Sequence, residues 1–206
     1  MKPKNLTSLV RALSLLVLIS ATSALAQQRL PMHLTGLLND YSPSTVSGGP
    51  WEMHGQWSMD VYPQWDTADF YADMTMSGYG TNSLGAPDAT QGGQKPHTHH
   101  IALTKAKITW DMIGCPTYAA PVPTVGFQIN GTVSLVTGNG QHPTFDPATP
   151  PTSTLQVCVS GGTLVTNANI TLVWGGGATM HFGTQAIHGV VRKTEELPRP
   201  EEFGRR

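Results

Sequence analysis

Apolar and polar side chains alternate with a period of two along most of this chain. Trp51, Met53, Trp57, Met59 and Val61 take odd positions, and Glu52, His54, Gln56, Ser58 and Asp60 lie between them. That is the signature of a half-buried strand. Residues 68–77 repeat it with Phe70, Ala72, Met74 and Met76 on one face, and the short Pro-containing connection at 62–67 makes the two strands a hairpin. From His97 to Met112 the phase shifts, with Ile101 and Leu103 odd but Ala106, Ile108, Trp110 and Met112 even. A bulge near Thr104 and Lys105 would keep both groups on the core side.

Further strands are expected where Val125, Phe127, Ile129, Val133 and Leu135 alternate, at Leu155, Val157 and Val159, and at 164–174. One or two more are expected at 178–191, after the Gly175-Gly176-Gly177 break. Residues 78–96 and 138–153 read as two long loops, because Gly, Pro, Asn and Gln displace any apolar period. No helical period follows the first 26 residues. Seven to nine strands joined by turns and two long loops imply an all-β fold, a single antiparallel β-barrel or sandwich.

The ends change the picture. Residues 1–26 resemble a secretory signal peptide: Lys2, Lys4 and Arg11 precede the apolar run 13–19, and Ala24 and Ala26 mark a cleavage site. The expected domains are a leader at 1–26, an all-β domain at 27–191 and a disordered charged tail at 192–206, which carries Glu195, Glu196, Pro198 and Pro200. Losing the leader leaves nine Lys and Arg against thirteen Asp and Glu, a net charge of about −4, which offers no footprint for nucleic acid. The leader's apolar run falls short of the roughly 20 residues that span a bilayer. An outer-membrane barrel would need apolar outward girdles and a closing strand, so no membrane insertion is expected. Cys115 and Cys158, the only cysteines, are expected to form one disulfide in an oxidising, secreted or periplasmic setting.

Candidate chemistry concentrates in Pro96-His97-Thr98-His99-His100. Residues two apart in a strand share a face, so His97 and His99 point inward with Ile101 and Leu103 while His100 points out. Carrying the phase of Met180 and Phe182 through Thr184 and Ala186 places His188 on the same inner side, whereas His54 and His181 fall on polar faces and His142 in a loop. His97, His99 and His188 are therefore the candidate metal ligands. Three imidazoles with an open position suit zinc, copper or iron.

The His97-x-His99 pair after a Gly-rich loop resembles cupin barrels in layout, which would imply a metal-dependent enzyme. Leu103, Thr104 and Lys105 stand where a cupin-like acidic ligand would be expected. Met74-x-Met76 with Tyr71 is similar to small periplasmic copper carriers in those positions, although both methionines continue the apolar face of Phe70 and Ala72. Trp65, in a turn, and the acids Asp60, Asp66, Asp69 and Asp73 around it raise a carbohydrate-binding module or a glycosidase pair. A nucleophile elbow, a P-loop, a dinucleotide fingerprint and H-E-x-x-H are all absent. The expectation is an exported β-barrel binding protein that takes a small-molecule or metal ligand through inward histidines. Its alternatives are a metal-dependent enzyme using the same residues and a carbohydrate-binding module.

Overall fold

The expected hairpin forms as β2 (Trp51–Tyr62) and β3 (Thr67–Gly78), joined by a 3-10 turn whose last residue is followed by Asp66 in the left-handed region. The structure is a computed structural model and describes residues 30–43, 45–46, 50–78, 80–81, 87–88, 96–116, 126–137, 152–160 and 168–198. The leader, most of the two expected loops at 78–96 and 138–153, and the end of the tail lie outside these residues.

The remaining strands are β1 (Met32–Tyr41), β4 (Gly80–Thr81), β5 (Pro87–Asp88), β6 (His97–Thr109), β7 (Gly126–Thr132), β8 (Leu135–Val136), β9 (Thr154–Ser160), β10 (Asn169–Gly175) and β11 (Ile187–Glu196). Eight of them close a ring in the order β1, β2, β3, β6, β7, β9, β10, β11 and back to β1, with antiparallel neighbours throughout. The fold is a closed barrel rather than a sandwich. Closure leaves no open edge in that ring. β8 adds a short pairing to β6 beyond β7, and β4 pairs with β5 alone.

The inner phase fills the barrel as the sequence pattern requires. Trp51, Met53, Trp57, Met59 and Val61 are buried from β2, and Phe70, Ala72, Met74 and Met76 from β3. The bulge in β6 is present: Ala68 pairs with Ala106 and Phe70 with Leu103, so Thr104 and Lys105 share one partner position. Lys105 has φ 54°, and its backbone N–H donates to Asp69 Oδ1 at 2.7 Å. Leu103 and Ala106 both stay in the core as a result.

A second irregularity positions the site. Residues 126–137 run beside β6 as β7 and then β8, and between them Ser134 N–H donates to the Ala102 carbonyl at 2.8 Å. Thr137 N–H then donates to the His100 carbonyl at 3.0 Å, which holds Thr137 beside the start of β6. Leu135, expected in the core phase, is 37% exposed after this break.

Two expectations are corrected. The segment at 178–191 is only partly strand. A 3-10 turn at Gly176–Ala178 leads into a one-turn helix, α1 (Thr179–Phe182), and β11 starts at Ile187. Glycine makes this possible, since Gly176 has φ 68° and Gly183, which ends α1, has φ 84°. Strand β11 also runs five residues into the segment expected to be a disordered tail. Its partners on β1 include Thr35 for Lys193 and His33 for Glu195, so these charged residues take outward positions of a paired strand.

Gly36 is required by close approach. It stands opposite Trp57 at a register shift in β1, and a Cβ there would lie 2.5 Å from the indole and overlap the Val190 carbonyl. Gly36→Ala is expected to destabilise the barrel by about 1 to 3 kcal/mol through overpacking. A urea midpoint equal to the unsubstituted protein's would contradict this.

Candidate metal centre

His97 and His99 reach the barrel interior from the first residues of β6, where they pair in register with Met76 and Met74 of β3. His99 is 2% exposed, and His97 is half-buried. The third imidazole comes from His181 on α1. Its Nε2 lies 3.0 Å from His97 Nε2 and 2.9 Å from His99 Nε2. The ligand atoms of all three fall within 4.8 Å of one another.

Hydrogen bonding fixes which nitrogen His99 offers. Its Nδ1 lies 2.5 Å from the Thr137 carbonyl, which only accepts, so Nδ1–H donates and Nε2 carries the lone pair. A backbone carbonyl gripping the far nitrogen is the support that metal-bound histidines commonly use. His181 Nε2 has a single in-plane site, hydrogen or lone pair, and both His97 Nε2 and His99 Nε2 crowd it. One proton cannot lie along both contacts. A cation at the centre would be met by three lone pairs, and metal–nitrogen bonds of about 2.0 to 2.1 Å would need nitrogens only about 3.3 Å apart in tetrahedral geometry.

Aromatic rings wall the cluster. Trp51 packs edge-on against His97 at 4.7 Å between ring centroids, and Phe182 contacts His99 at 5.0 Å and His181 at 5.1 Å. Phe182 in turn stacks on Trp174 at 4.5 Å, closing the barrel behind the imidazoles. Burial in this setting holds the rings of His99 and His181 neutral. Desolvation, helped by His181, pushes the His99 pKa down to about 3, and desolvation with His97 pushes that of His181 down to about 4.

Those shifts carry a sign for stability. Above the ordinary histidine pKa of 6.5 both rings are neutral, folded or unfolded, and nothing is lost. As pH falls from 6.5 toward 4 and 3, the unfolded chain takes up protons that the folded barrel refuses, so stability falls with pH. Urea midpoints measured from pH 7 to pH 4 should decrease. The decrease should be shallower in a His99→Gln, His181→Gln double variant, and equal slopes would count against the burial argument.

Two of the three ligands expected from the sequence are thus brought together, and His188 is not in this group. Its backbone N–H donates to Asp40 Oδ2 at 2.9 Å, and its ring Nδ1 is 2.7 Å from the same oxygen. The reason is local: α1 breaks the alternation, so Ala186 and Ile187 are both buried and His188 follows on the outer face. The same turn exposes Met180, at 62%, where the alternation placed it in the core, and swings His181 inward. The Gly175-Gly176-Gly177 run and Gly183 were the signal that the strand phase does not continue. The five residues between Gly177 and Gly183 are too few for a helical period to register.

His100 points outward as expected, with Nδ1 2.5 Å from Asp73. The four acids raised as a sugar-cleaving pair all have structural partners. Asp60 bonds His33, Asp66 accepts from Trp110 Nε1, and Asp69 holds the β6 bulge. Trp65 is 59% exposed, and its ring tilts against Tyr62 at 5.4 Å. The expected disulfide joins Cys115 to Cys158. Among the described residues no helix is long and apolar enough to cross a membrane. The chain matches no known family model, no curated protein and no solved structure.

Proposed function

We propose that this chain is an exported β-barrel protein that binds one transition-metal ion through His97, His99 and His181. One observation carries the reading: three imidazole Nε2 atoms converge, two of them 2.9 and 3.0 Å from the third, with His99 fixed by Thr137 to present its lone pair. Neutral imidazole suits zinc, copper and iron alike. Export rests on the resemblance of residues 1–26 to a signal peptide, and the disulfide agrees with an oxidising compartment.

A second reading, a metal-dependent enzyme at the same residues, has one observation in its favour. His99 is buried but His97 and His181 are only half-buried, so a fourth coordination position would face the solvent side. Catalytic zinc sites keep such a position open.

The test is metal analysis of protein purified without an affinity tag, dialysed against Zn(II), Cu(II) or Fe(II) and then against buffer. One equivalent of metal is expected. Quenching of tryptophan emission by Cu(II), weakened in Trp51→Phe, would place the ion beside His97. No stoichiometric metal under any loading would overturn both readings, and bound metal with turnover on a broad hydrolytic and oxidative substrate panel would favour the enzyme.

A further inference from the structure

The three-imidazole site leaves the Met74-x-Met76 motif unused, yet the sheet register brings it to the same place. Met76 stands opposite Met53 on β2 and opposite His97 on β6, and Met74 stands opposite His99. All three methionines are fully buried, and all are in the inner phase of their strands. Directly opposed Cβ atoms on neighbouring strands lie about 4.5 to 5.5 Å apart. A thioether on three rotatable bonds spans that interval, so Met74 and Met76 flank the two imidazoles that β6 supplies.

Filling volume does not by itself call for methionine here. Other inner positions hold mostly branched side chains, among them Leu34 and Leu38 on β1, Ile129 on β7, Val157 on β9 and Leu172 on β10, although Met32 on β1 and Met59 on β2 are buried too. Three of the five buried methionines, Met53, Met74 and Met76, stand at the end of β2 and β3 whose register meets His97 and His99. Thioethers are soft donors that select Cu(I), while carboxylates, the partners of harder ions, are not part of the cluster found among the described residues.

We infer that the ion this site is built for is copper in its Cu(I) state, held in a shell of at most four donors by imidazoles of the His97, His99 and His181 cluster together with thioether sulfur from Met74 or Met76. The inference rests on the three-imidazole reading and specifies its ligand. It also gives the motif a role besides packing.

The test is an anaerobic titration of the full chain with Cu(I) in competition with bicinchoninate, beside a Zn(II) titration, on the unsubstituted protein and on Met74→Leu, Met76→Leu and the double variant. Leucine keeps the volume, and thermal melts report whether each variant folds. The double variant should lose about tenfold or more in Cu(I) affinity while Zn(II) affinity stays within about twofold. X-ray absorption of the unsubstituted Cu(I) protein should show sulfur in the first coordination shell. A shell of nitrogen alone would overturn the inference, even if the leucine variants failed to fold. So would an unchanged Cu(I) affinity in a folded double variant. Zn(II) binding that survived either result would leave the three-imidazole reading standing, whereas no binding of Cu(I) or Zn(II) to the unsubstituted chain would remove both.

Discussion

His99→Ala is expected to lower the affinity of the barrel for Zn(II) or copper by at least about a hundredfold, the largest effect of any single substitution in the site. Loss of a supporting partner of a metal ligand already costs about 10- to 100-fold, and His99 is itself a ligand in this reading. Its ring is held at both nitrogens, by the Thr137 carbonyl on Nδ1 and by His181 on Nε2. Removing it leaves His97 and His181 to coordinate alone from a half-buried rim. His181→Ala should have a comparable effect, because its Nε2 is the atom the other two converge on.

The control is His188→Ala, expected to leave affinity within about twofold, since that ring is engaged with Asp40. Competition with a chromogenic chelator measures all three variants, and a thermal melt confirms that each is folded. Equal affinities for His99→Ala and the unsubstituted protein would rule out the site as drawn. A large loss in His188→Ala would instead restore the ligand set read from alternation.

That contrast shows what the sequence could and could not carry. Period-two alternation located β2, β3 and the inward face of β6, because each of those residues meets water on one side and core on the other. Even the bulge at Thr104 and Lys105 was legible, since two apolar registers of opposite phase have to be reconciled within one strand. The same reasoning failed after Trp174. Alternation tells which side a residue faces only while the backbone stays extended, and one turn of helix between Gly177 and Gly183 rotates every later position. His181 therefore went to the outside and His188 to the inside, the reverse of the arrangement found. The end of β11 was missed for a different reason: Arg192, Lys193, Glu195 and Glu196 read as a solvated tail, but pairing to β1 requires only backbone hydrogen bonds.

The second large effect concerns stability rather than binding. Cys115 follows β6, and Cys158 lies in β9, at a sequence separation of 43. In the chain-entropy account a closed loop of that size restricts the unfolded state by about 4 kcal/mol. The bridge also fastens a stretch that has no ladder of its own. Residues 110–116 cross the outer face of β7 and β9, where Gln128 Nε2 donates to the Ile113 carbonyl at 2.7 Å and Gln156 Nε2 donates to the Gly114 carbonyl at 3.3 Å. Cys158 and Gln128, although on the outer phase, are buried beneath it.

A Cys115→Ser, Cys158→Ser double variant should accordingly lose about 3 to 4 kcal/mol of unfolding free energy and melt about 10 °C lower. Its metal stoichiometry at 25 °C should be unchanged, because the histidines of β6 sit at the far end of that strand from Cys115. Melting within about 2 °C of the disulfide-bonded protein would show that contacts over β7 and β9, and not the cross-link, hold this wall. Loss of metal from a variant still folded by circular dichroism would show instead that the two ends of β6 are coupled, and that the triad depends on the staple as well as on Thr137.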